Sequence, residues 1–479
     1  MFCYLAFFSY FCKMKRTIFL VLTIVSMAVV SQFFTACNTK PKDFVYIDDG
    51  TFMLNDSVWF PLMLNYKTEV RNNTLYPVSY YGEAATFSET FGQISGWGFN
   101  SVRVCMDVMN DDVDTKVLFP SVQKMLDTAQ MCGLKVMLLI KPPFSEQRNE
   151  FTQALLQTFA NNSTLWAYDF MNEPLYFDPA ETRDKVESYN LVVSWHEMME
   201  EYAPHQLFTI AFAEPIEVFE WDPALLPVDF VEMHTYHPLR VPSEMYWYGH
   251  FVGKPWIVGE TSLPVDNDSV PYLWQSIFMK ESFQCAIDNG AIGFGWWEYH
   301  DCLNGTNFEA WYTGLVNASG EEKPATSVVR QLLSQKRKTP QQPVNYFNML
   351  GYQNLAVAGC VLDEKGKPIE GAVVRGWNED WSVGMNTFTD EKGRFALISN
   401  DVCTHFEISA TTYSKEKFDK SVTYENVSNL PDKNLEYQQI SYVPFLLTDT
   451  SMLTLNPEKF KVSPQKFDIG TIVLKRIDY

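Results

Sequence analysis

Two acids in this chain stand where apolar runs break off. Leu165-Trp166-Ala167-Tyr168-Asp169-Phe170-Met171 reads as a buried strand and ends in Asn172-Glu173-Pro174. Proline cannot continue a central strand, so the Glu173 carboxylate sits where the strand stops. Trp256-Ile257-Val258-Gly259 runs in the same way into Glu260-Thr261, and Gly259 leaves room beside the acid. Other chemically capable residues occupy similar places. They are Arg103 in Ser101-Val102-Arg103-Val104-Cys105, His234 and Tyr236 in His234-Thr235-Tyr236, and the pair Trp296-Trp297. A glycosidic bond is broken by two carboxyl groups across a sugar ring. One protonates the leaving oxygen while the other attacks the anomeric carbon or activates water. Indole faces suit the flat C–H faces of sugars, though they also fill ordinary cores. Singly, each residue has a structural explanation. Arg103 would be an ion-pair residue, His234 a satisfied core histidine, and Trp296 and Trp297 core. Glu173 would open a turn, and Glu260 would be a surface residue after a strand. Their order and shared position at strand ends raise them above that.

The elements that must position these residues alternate. Apolar strands are expected at Phe60–Tyr66, Ser101–Asp107, Lys135–Ile140, Leu165–Met171, Leu207–Phe212, Phe230–Thr235, Trp256–Gly259 and Ala291–Trp297. Helical patterns lie between and after them, at Ser121–Cys132, Glu150–Ala160, Glu187–Tyr202, Val270–Asn289 and Pro324–Lys336. Gly133 and Gly290 follow two of these as C-terminal glycines should. Eight strands alternating with helices predict an α/β chain folded as a (β/α)8 TIM barrel over residues 43–338. In a barrel the carboxyl ends of the strands share one face, so distant residues converge on one pocket. No repeat of fixed period is visible, which argues against a solenoid.

From Leu355 onward the pattern changes to short alternating runs with no good helix. Asp363-Glu364-Lys365-Gly366 and Asp390-Glu391-Lys392-Gly393 supply turns between them. Residues 353–479 therefore read as a small all-β sandwich, joined through a linker at 339–352 that follows the basic, polar Lys336–Gln342.

With 479 residues, the chain exceeds one ordinary core, as this division requires. Acidic residues outnumber basic ones, 58 to 37, for a net charge of -21. That argues against nucleic acid or an anionic membrane surface as a partner. The aromatic content of 15% is high and favours a saccharide partner without identifying it. Cys105, Cys132, Cys285, Cys302, Cys360 and Cys403 show neither CxxC pairing nor metal-ligand spacing, so no metal or cofactor is expected. Cys285 and Cys302 remain open as a pair.

At the start, Lys13, Lys15 and Arg16 precede an apolar run from Ile18 to Val30, followed by Phe34-Thr35-Ala36-Cys37. This resembles a bacterial lipoprotein signal, with Met14 as a possible true start. The resemblance implies removal of residues 1–36, lipidation of Cys37, and a place in the cell envelope held by the lipid alone. A transmembrane anchor is the alternative.

The barrel segment, about Phe44 to Lys338, resembles the large retaining glycoside hydrolase clan with glutamates on strands four and seven, and most of all its cellulase and mannanase-type members. The resemblance implies that Glu173 is the acid/base and Glu260 the nucleophile. Asn172 would bind the sugar 2-hydroxyl, Tyr236 would hydrogen-bond the nucleophile, and His234 would line the sugar subsite. Arg103 would hold Glu260 ionised. Trp297, or else Trp296, would form the aromatic platform. Cellulase-type members usually carry a histidine at the end of strand three, where this chain has Ile140-Lys141-Pro142-Pro143. Other families of the clan therefore stay open. Glu298, Asp301, Asp107 and Asp169 are set aside as structural or rim acids. The second domain, with Gly366-Lys367-Pro368-Ile369-Glu370-Gly371-Ala372-Val373-Val374, resembles a carboxypeptidase regulatory-like sandwich. That implies spacing, packing or weak binding, with Trp377 and Trp381 as a conceivable sugar platform.

The expectation is a retaining β-glycoside hydrolase acting on an oligo- or polysaccharide. The alternatives are an inverting enzyme on the same fold, a non-catalytic glycan-binding surface lipoprotein, and a purely structural lipoprotein.

Overall fold

The computed structural model describes residues 42–78, 85–106, 111–180, 182–236, 240–268, 270–302, 312–338, 355–381, 384–399, 403–420 and 465–479. Cys37 with the rest of the expected signal, Asp107, most of the Asp301–Trp311 loop and the linker at 339–352 lie outside them. Residues Asp43–Tyr479 pack into one unit. No helix of the described residues is long and apolar enough to cross a membrane.

The described chain opens with a small antiparallel sheet that the alternation of strands and helices does not announce. Its strands are β1 (Val45–Asp48), β2 (Thr51–Leu54) and β3 (Ser57–Val58). Asp49, Gly50, Asn55 and Asp56 take positive φ at its turns, which such residues tolerate. Val45 and Phe52 drop into a cluster with Met63, Met137, Trp166, Phe230 and Ile257. Those residues lie at the starts of barrel strands, so this sheet plugs the barrel at the end opposite the strand C-termini.

The barrel follows. Strand β4 (Leu62–Arg71) continues past it and pairs antiparallel with β5 (Thr74–Pro77). Next come α1 (Phe87–Trp97), β6 (Ser101–Cys105), α2 (Thr115–Met131), β7 (Lys135–Leu139), α3 (Glu146–Phe159) and β8 (Leu165–Asn172). A short α4 (Pro174–Phe177), α5 (Lys185–Tyr202), β9 (Leu207–Phe212), β10 (Val231–His234) and α6 (Val241–Phe251) come next. Strand β11 (Trp256–Glu260), α7 (Tyr272–Asp288), β12 (Phe294–Trp296) and α8 (Thr326–Leu332) complete it. Neighbouring strands pair in parallel from β4 through β6 to β12, and β12 pairs back onto β4. This is the expected closed (β/α)8 barrel. Each expected strand is found, with ends shifted by a few residues.

Local chemistry explains the helix limits. Thr86 with Glu89, and Asp184 with Glu187, form capping boxes that start α1 and α5. Helix α2 begins six residues before the expected Ser121. Asp114 caps it, and Pro120 inside it forfeits only one backbone hydrogen bond. Strand β12 is shorter than expected because its neighbours crowd it. A Cβ on Gly295 would stand 2.1 Å from the Gly259 carbonyl oxygen on β11. Cys285 and Cys302 are both free thiols.

The C-terminal strands are β13 (Leu355–Asp363), β14 (Val373–Trp377), β15 (Gly384–Phe388), β16 (Arg394–Ser399), β17 (His405–Ser409), β18 (Glu416–Asp419) and β19 (Gln465–Leu474). They form two sheets, ordered β16-β13-β19 and β15-β14-β17-β18, around Val361, Val374, Leu397, Phe406 and Ile408. Gly366 and Gly393 take positive φ in the two expected turns. The Asp363 and Asp390 side chains accept backbone N–H bonds there.

The sandwich is seated on the barrel. Trp247 donates its indole N–H to the Gly371 carbonyl at 2.8 Å, and Lys185 donates to the Ala410 carbonyl at 2.8 Å. The Thr412 backbone N–H donates to Asp222 at 2.9 Å. Val373 and Phe388 pack into the barrel's own hydrophobic cluster.

Gly295→Ala is expected to destabilise the chain by about 1–3 kcal/mol or more, because the obstructing atom is backbone and cannot swing aside. A denaturant melt of the variant checks this, and a wild-type midpoint would show that β11 and β12 can separate.

Candidate active site

The predicted residues come together around one buried cation. Arg103, on β6, has no exposed surface. Its Nε and Nη2 donate to Asp169 at 3.0 and 2.6 Å, and Nη2 also donates to Asn172 at 2.9 Å. Its Nη1 donates to Asn65 at 2.9 Å and to Glu260 at 2.5 Å. Glu232 stands 3.2 Å from Nε. Burial works against the positive charge, but Glu232, Asp169 and Glu260 outweigh it and hold the guanidinium ionised.

Two irregular strand ends aim the groups. The β8–β9 register slips between Asp169 and Asn172. There Asp169 accepts the backbone N–H groups of Met171 and Ala211, both at 3.2 Å, and so fills the gap. The slip turns Asn172 toward Arg103. Glu173 follows in the left-handed region, at φ 40° and ψ 73°. That conformation is costly for a residue with a side chain, and such costs concentrate at working sites. Pro174 then starts α4. The β10–β11 register slips between Met233 and His234, which sets His234 opposite Glu260.

Glu260 is 4% exposed and fixed at both oxygens. Oε1 accepts from Arg103, and Oε2 accepts a short bond from the Tyr236 hydroxyl. Burial pushes its carboxyl up. His234 and Arg103 pull it back, Glu173 pushes it up again, and the Tyr236 bond pulls it down, leaving it above the ordinary glutamate value. His234 Nδ1 lies 2.8 Å from Glu173 Oε1, and its Nε2 lies 3.6 Å from Glu232. Burial disfavours the imidazolium, but the charge of Glu260, the bond to Glu173 and the nearby Glu232 lift it to about 10. One carboxylate oxygen each from Glu173 and Glu260, with a His234 nitrogen, lie within 4.8 Å of one another. Such a trio can grip a cation in principle. An ion there would have to displace the imidazole proton, because metal binding requires neutral imidazole.

Asn172 uses its oxygen on Arg103, which leaves its amide N–H groups without a partner among the described residues. Trp296 is fully buried. Its ring packs on Phe278 and its N–H points to the Thr313 carbonyl. It is core, whereas Trp297 is partly exposed. The Lys67 ammonium sits 4.7 Å from the Trp297 ring centre and 2.9 Å from Glu298. Burial lifts Glu298 to about 7 against the pull of Lys67. A cavity of about 430 Å³ opens there, lined in part by Lys67, Gln93, Glu298 and Tyr299.

Two acids set aside in the sequence belong to this machinery. Asp169 is not at the rim but fully buried under Arg103. Burial lifts its carboxyl to about 7 although Arg103 pulls the other way, and Glu232 adds to the rise. Glu298 is also buried. Asp301 is structural and pairs with Lys323 at 2.7 Å. Two further residues went unremarked. Asn65 on β4 donates to the Gly259 and Trp296 carbonyls at 2.8 and 3.1 Å and so ties three strands together. Glu232 on β10 is fully buried, and it fills the space above Gly259, where a Cβ would stand 2.0 Å from Glu232 Oε1. Both were visible as polar residues interrupting apolar strands. At the end of strand three Lys141 engages Asp111 at 2.7 Å.

On the Glu173 side, Glu214 is gripped by both Arg240 nitrogens at 3.0 Å. Tyr176 reaches Glu214 at 3.4 Å. Asn386 of the C-terminal sandwich donates to Glu214 at 3.0 Å.

Residues 64–199 match the family model described as Cellulase (glycosyl hydrolase family 5). The match runs from β4 into α5 and contains Arg103, Asn172 and Glu173. None of the curated proteins matches the chain. Similar solved structures include an exo-β-1,4-mannosidase from Opitutaceae bacterium strain TAV5, at 16% identity and a TM-score of 0.49 over 60% of this chain and 62% of that one. GH5_18 from Streptomyces cattleya in complex with GlcNAc is 14% identical, with a TM-score of 0.48 over 64% of this chain and 86% of its own. An endo-1,4-β-mannanase from Rhizomucor miehei is 13% identical, with a TM-score of 0.46 over 61% and 100%. The chain thus spans less than two thirds of the mannosidase's length. The family match supports a glycoside hydrolase.

Proposed function

We propose that this chain is a retaining β-glycoside hydrolase that cleaves a β-linked oligo- or polysaccharide by double displacement. The observation that carries the reading is the approach of Glu173 and Glu260 at the strand ends, with oxygens within 4.8 Å. Retaining enzymes hold their carboxyl groups about 5–5.5 Å apart, whereas inverting ones need about 6.5–9.5 Å for a water between them. The two environments also suit different roles. Glu260 is doubly hydrogen-bonded beside two cations, as a nucleophile that must be ionised requires. Glu173 is more open and bonded to a histidine, as suits a group that exchanges protons.

In this reading Glu173 protonates the leaving oxygen while Glu260 Oε attacks the anomeric carbon. The glycosidic C–O bond breaks and a glycosyl ester forms on Glu260. Glu173, now a carboxylate, takes a proton from water as the water oxygen attacks the same carbon, and Glu260 leaves. Asn172 would meet the 2-hydroxyl with its unpartnered N–H, and Trp297 would carry the ring face. We also infer that the chain is lipid-anchored through Cys37 in a bacterial envelope, on the signal pattern alone.

Glu173→Ala and Glu260→Ala are each expected to lower kcat/KM by roughly 100- to 10,000-fold. Azide should restore turnover of an activated glycoside in the Glu260 variant. Proton NMR of the first-released sugar should show the starting anomer. A panel of β-mannans, β-glucans, xylans and aryl glycosides identifies the substrate, and unchanged turnover in either variant rules out the mechanism.

Tyr236→Phe removes a bond that favours ionised Glu260, so the nucleophile should protonate at higher pH. The acidic limb of kcat/KM should move upward, with a loss of roughly tenfold or more at its optimum. A pH–rate profile that keeps its acidic limb would show that the bond carries no charge preference.

Mass spectrometry of the membrane-extracted protein should show a mature N-terminus at Cys37 that carries acyl chains. An intact N-terminal segment would favour the uncleaved apolar run as the anchor.

A further inference from the structure

We propose that the C-terminal sandwich extends the substrate cleft, with Trp381 as the platform for sugar units on the leaving-group side. This rests on the hydrolase reading above.

The argument begins with one sheet face. Val374 points into the sandwich core, and Gly376 backs onto Leu397 and Phe406. The alternate residues Val373, Arg375 and Trp377 therefore lie on the other face. Their partners across β15 are Phe388, Asn386 and Gly384, which share that face. This face runs in three steps. Val373 and Phe388 are sunk in the barrel's hydrophobic cluster. Asn386, opposite Arg375, bonds Glu214. Glu214 holds Arg240 and Tyr176 beside Glu173, whose charge bears on the Tyr176 hydroxyl. Trp377 comes two residues further, roughly 7 Å beyond. The sheet thus passes from the barrel wall, along the acid side of the site, to an aromatic end.

At that end Trp381 stacks on Trp377, with centres 4.8 Å apart and planes 14° from parallel. Trp377 is buried, while Trp381 keeps 55% of its surface exposed. Trp381 is held at φ 58°, in a region that bulky side chains avoid. An exposed indole supported from behind by a second one is a rigid flat surface. Arg375 lies 5.0 Å from its centre, Lys417 lies 5.4 Å from Trp377, and Glu379 reaches His405 at 3.4 Å. Donors and an acceptor thus lie beside the aromatic pair, as a polyhydroxylated ring requires. Cations and carboxylates are nearly matched locally, and the chain's net charge of -21 repels polyanions. The ligand is therefore a neutral glycan, bound by units beyond the bond that Glu173 protonates.

Hydrolysis of β-1,4-linked mannohexaose or cellohexaose is compared with that of the matching aryl glycoside in the full chain. In Trp381→Ala the hexaose-to-aryl-glycoside ratio of kcat/KM should fall roughly 3- to 10-fold, through KM, as expected for one lost aromatic contact. Trp381→Phe should recover part of it. A second arm needs no turnover. Calorimetric affinity of the Glu260→Gln protein for the hexaoses should fall by a similar factor when Trp381→Ala is added. A fall in that arm supports the platform even if no hydrolysis is detected, so the two readings fail separately. An unchanged ratio with unchanged affinity overturns the proposal. So does the absence of hexaose binding by the Glu260→Gln protein.

Discussion

A guanidinium buried without exposed surface is the constraint on which this barrel turns. Arg103 could not remain charged there alone, since an unpaired ion in a protein interior costs far more than a fold can offset. Asp169, Glu232 and Glu260 could not remain crowded together without it. Each side makes the other tolerable, and the whole set is held by strands of one closed sheet. Asn65 completes the lattice by binding Arg103 on one side and the Gly259 and Trp296 carbonyls on the other. Charge balance, strand pairing and the aim of the nucleophile are thus one arrangement. Removing a member would leave a buried charge uncompensated, which explains why the cluster reaches below the residues that meet substrate.

The same cluster gives the two glutamates different surroundings. Glu260 has cations and a phenol as neighbours, while Glu173 has a single histidine contact and more solvent. An acid and a nucleophile made from the same amino acid need that difference in surroundings. His234 lies between them, 2.8 Å from Glu173 and 3.5 Å from Glu260.

Much of this was legible in the residues. Strand-breaking acids at Glu173 and Glu260, and the His234-Thr235-Tyr236 sequence, marked the mouth because an acid or histidine ending an apolar run has few structural uses. Period and glycine placement marked the barrel. Less legible was what lies underneath. Glu232 looked like a stray acid in an apolar strand, because its partner Arg103 is 129 positions away (232 − 103) and only closure of the barrel joins them. Asp169 stood open between a structural and a rim acid, since a one-residue slip in pairing leaves no trace in composition. Between Trp296 and Trp297 only the resemblance chose, and the strand end then put Trp296 inside and left Trp297 partly exposed. The plug formed by β1 to β3 was missed because its short strands lack a long apolar run. For the second domain the sequence left spacing, packing and weak binding open, and Trp247, Lys185 and Asp222 bind its backbone directly.

The slips in register at the ends of β8 and β10 carry a wider implication. Along a regular strand, inward and outward positions alternate strictly, so the lower layers of a barrel dictate which way its upper residues face. An extra residue near the top resets that parity. The pairing slips at Trp166 on the floor as well, so parity is reset at both ends of β8. Substitutions at the rim can explore new orientations while the floor keeps its packing, and a barrel of this kind can change what it recognises without relearning how to fold.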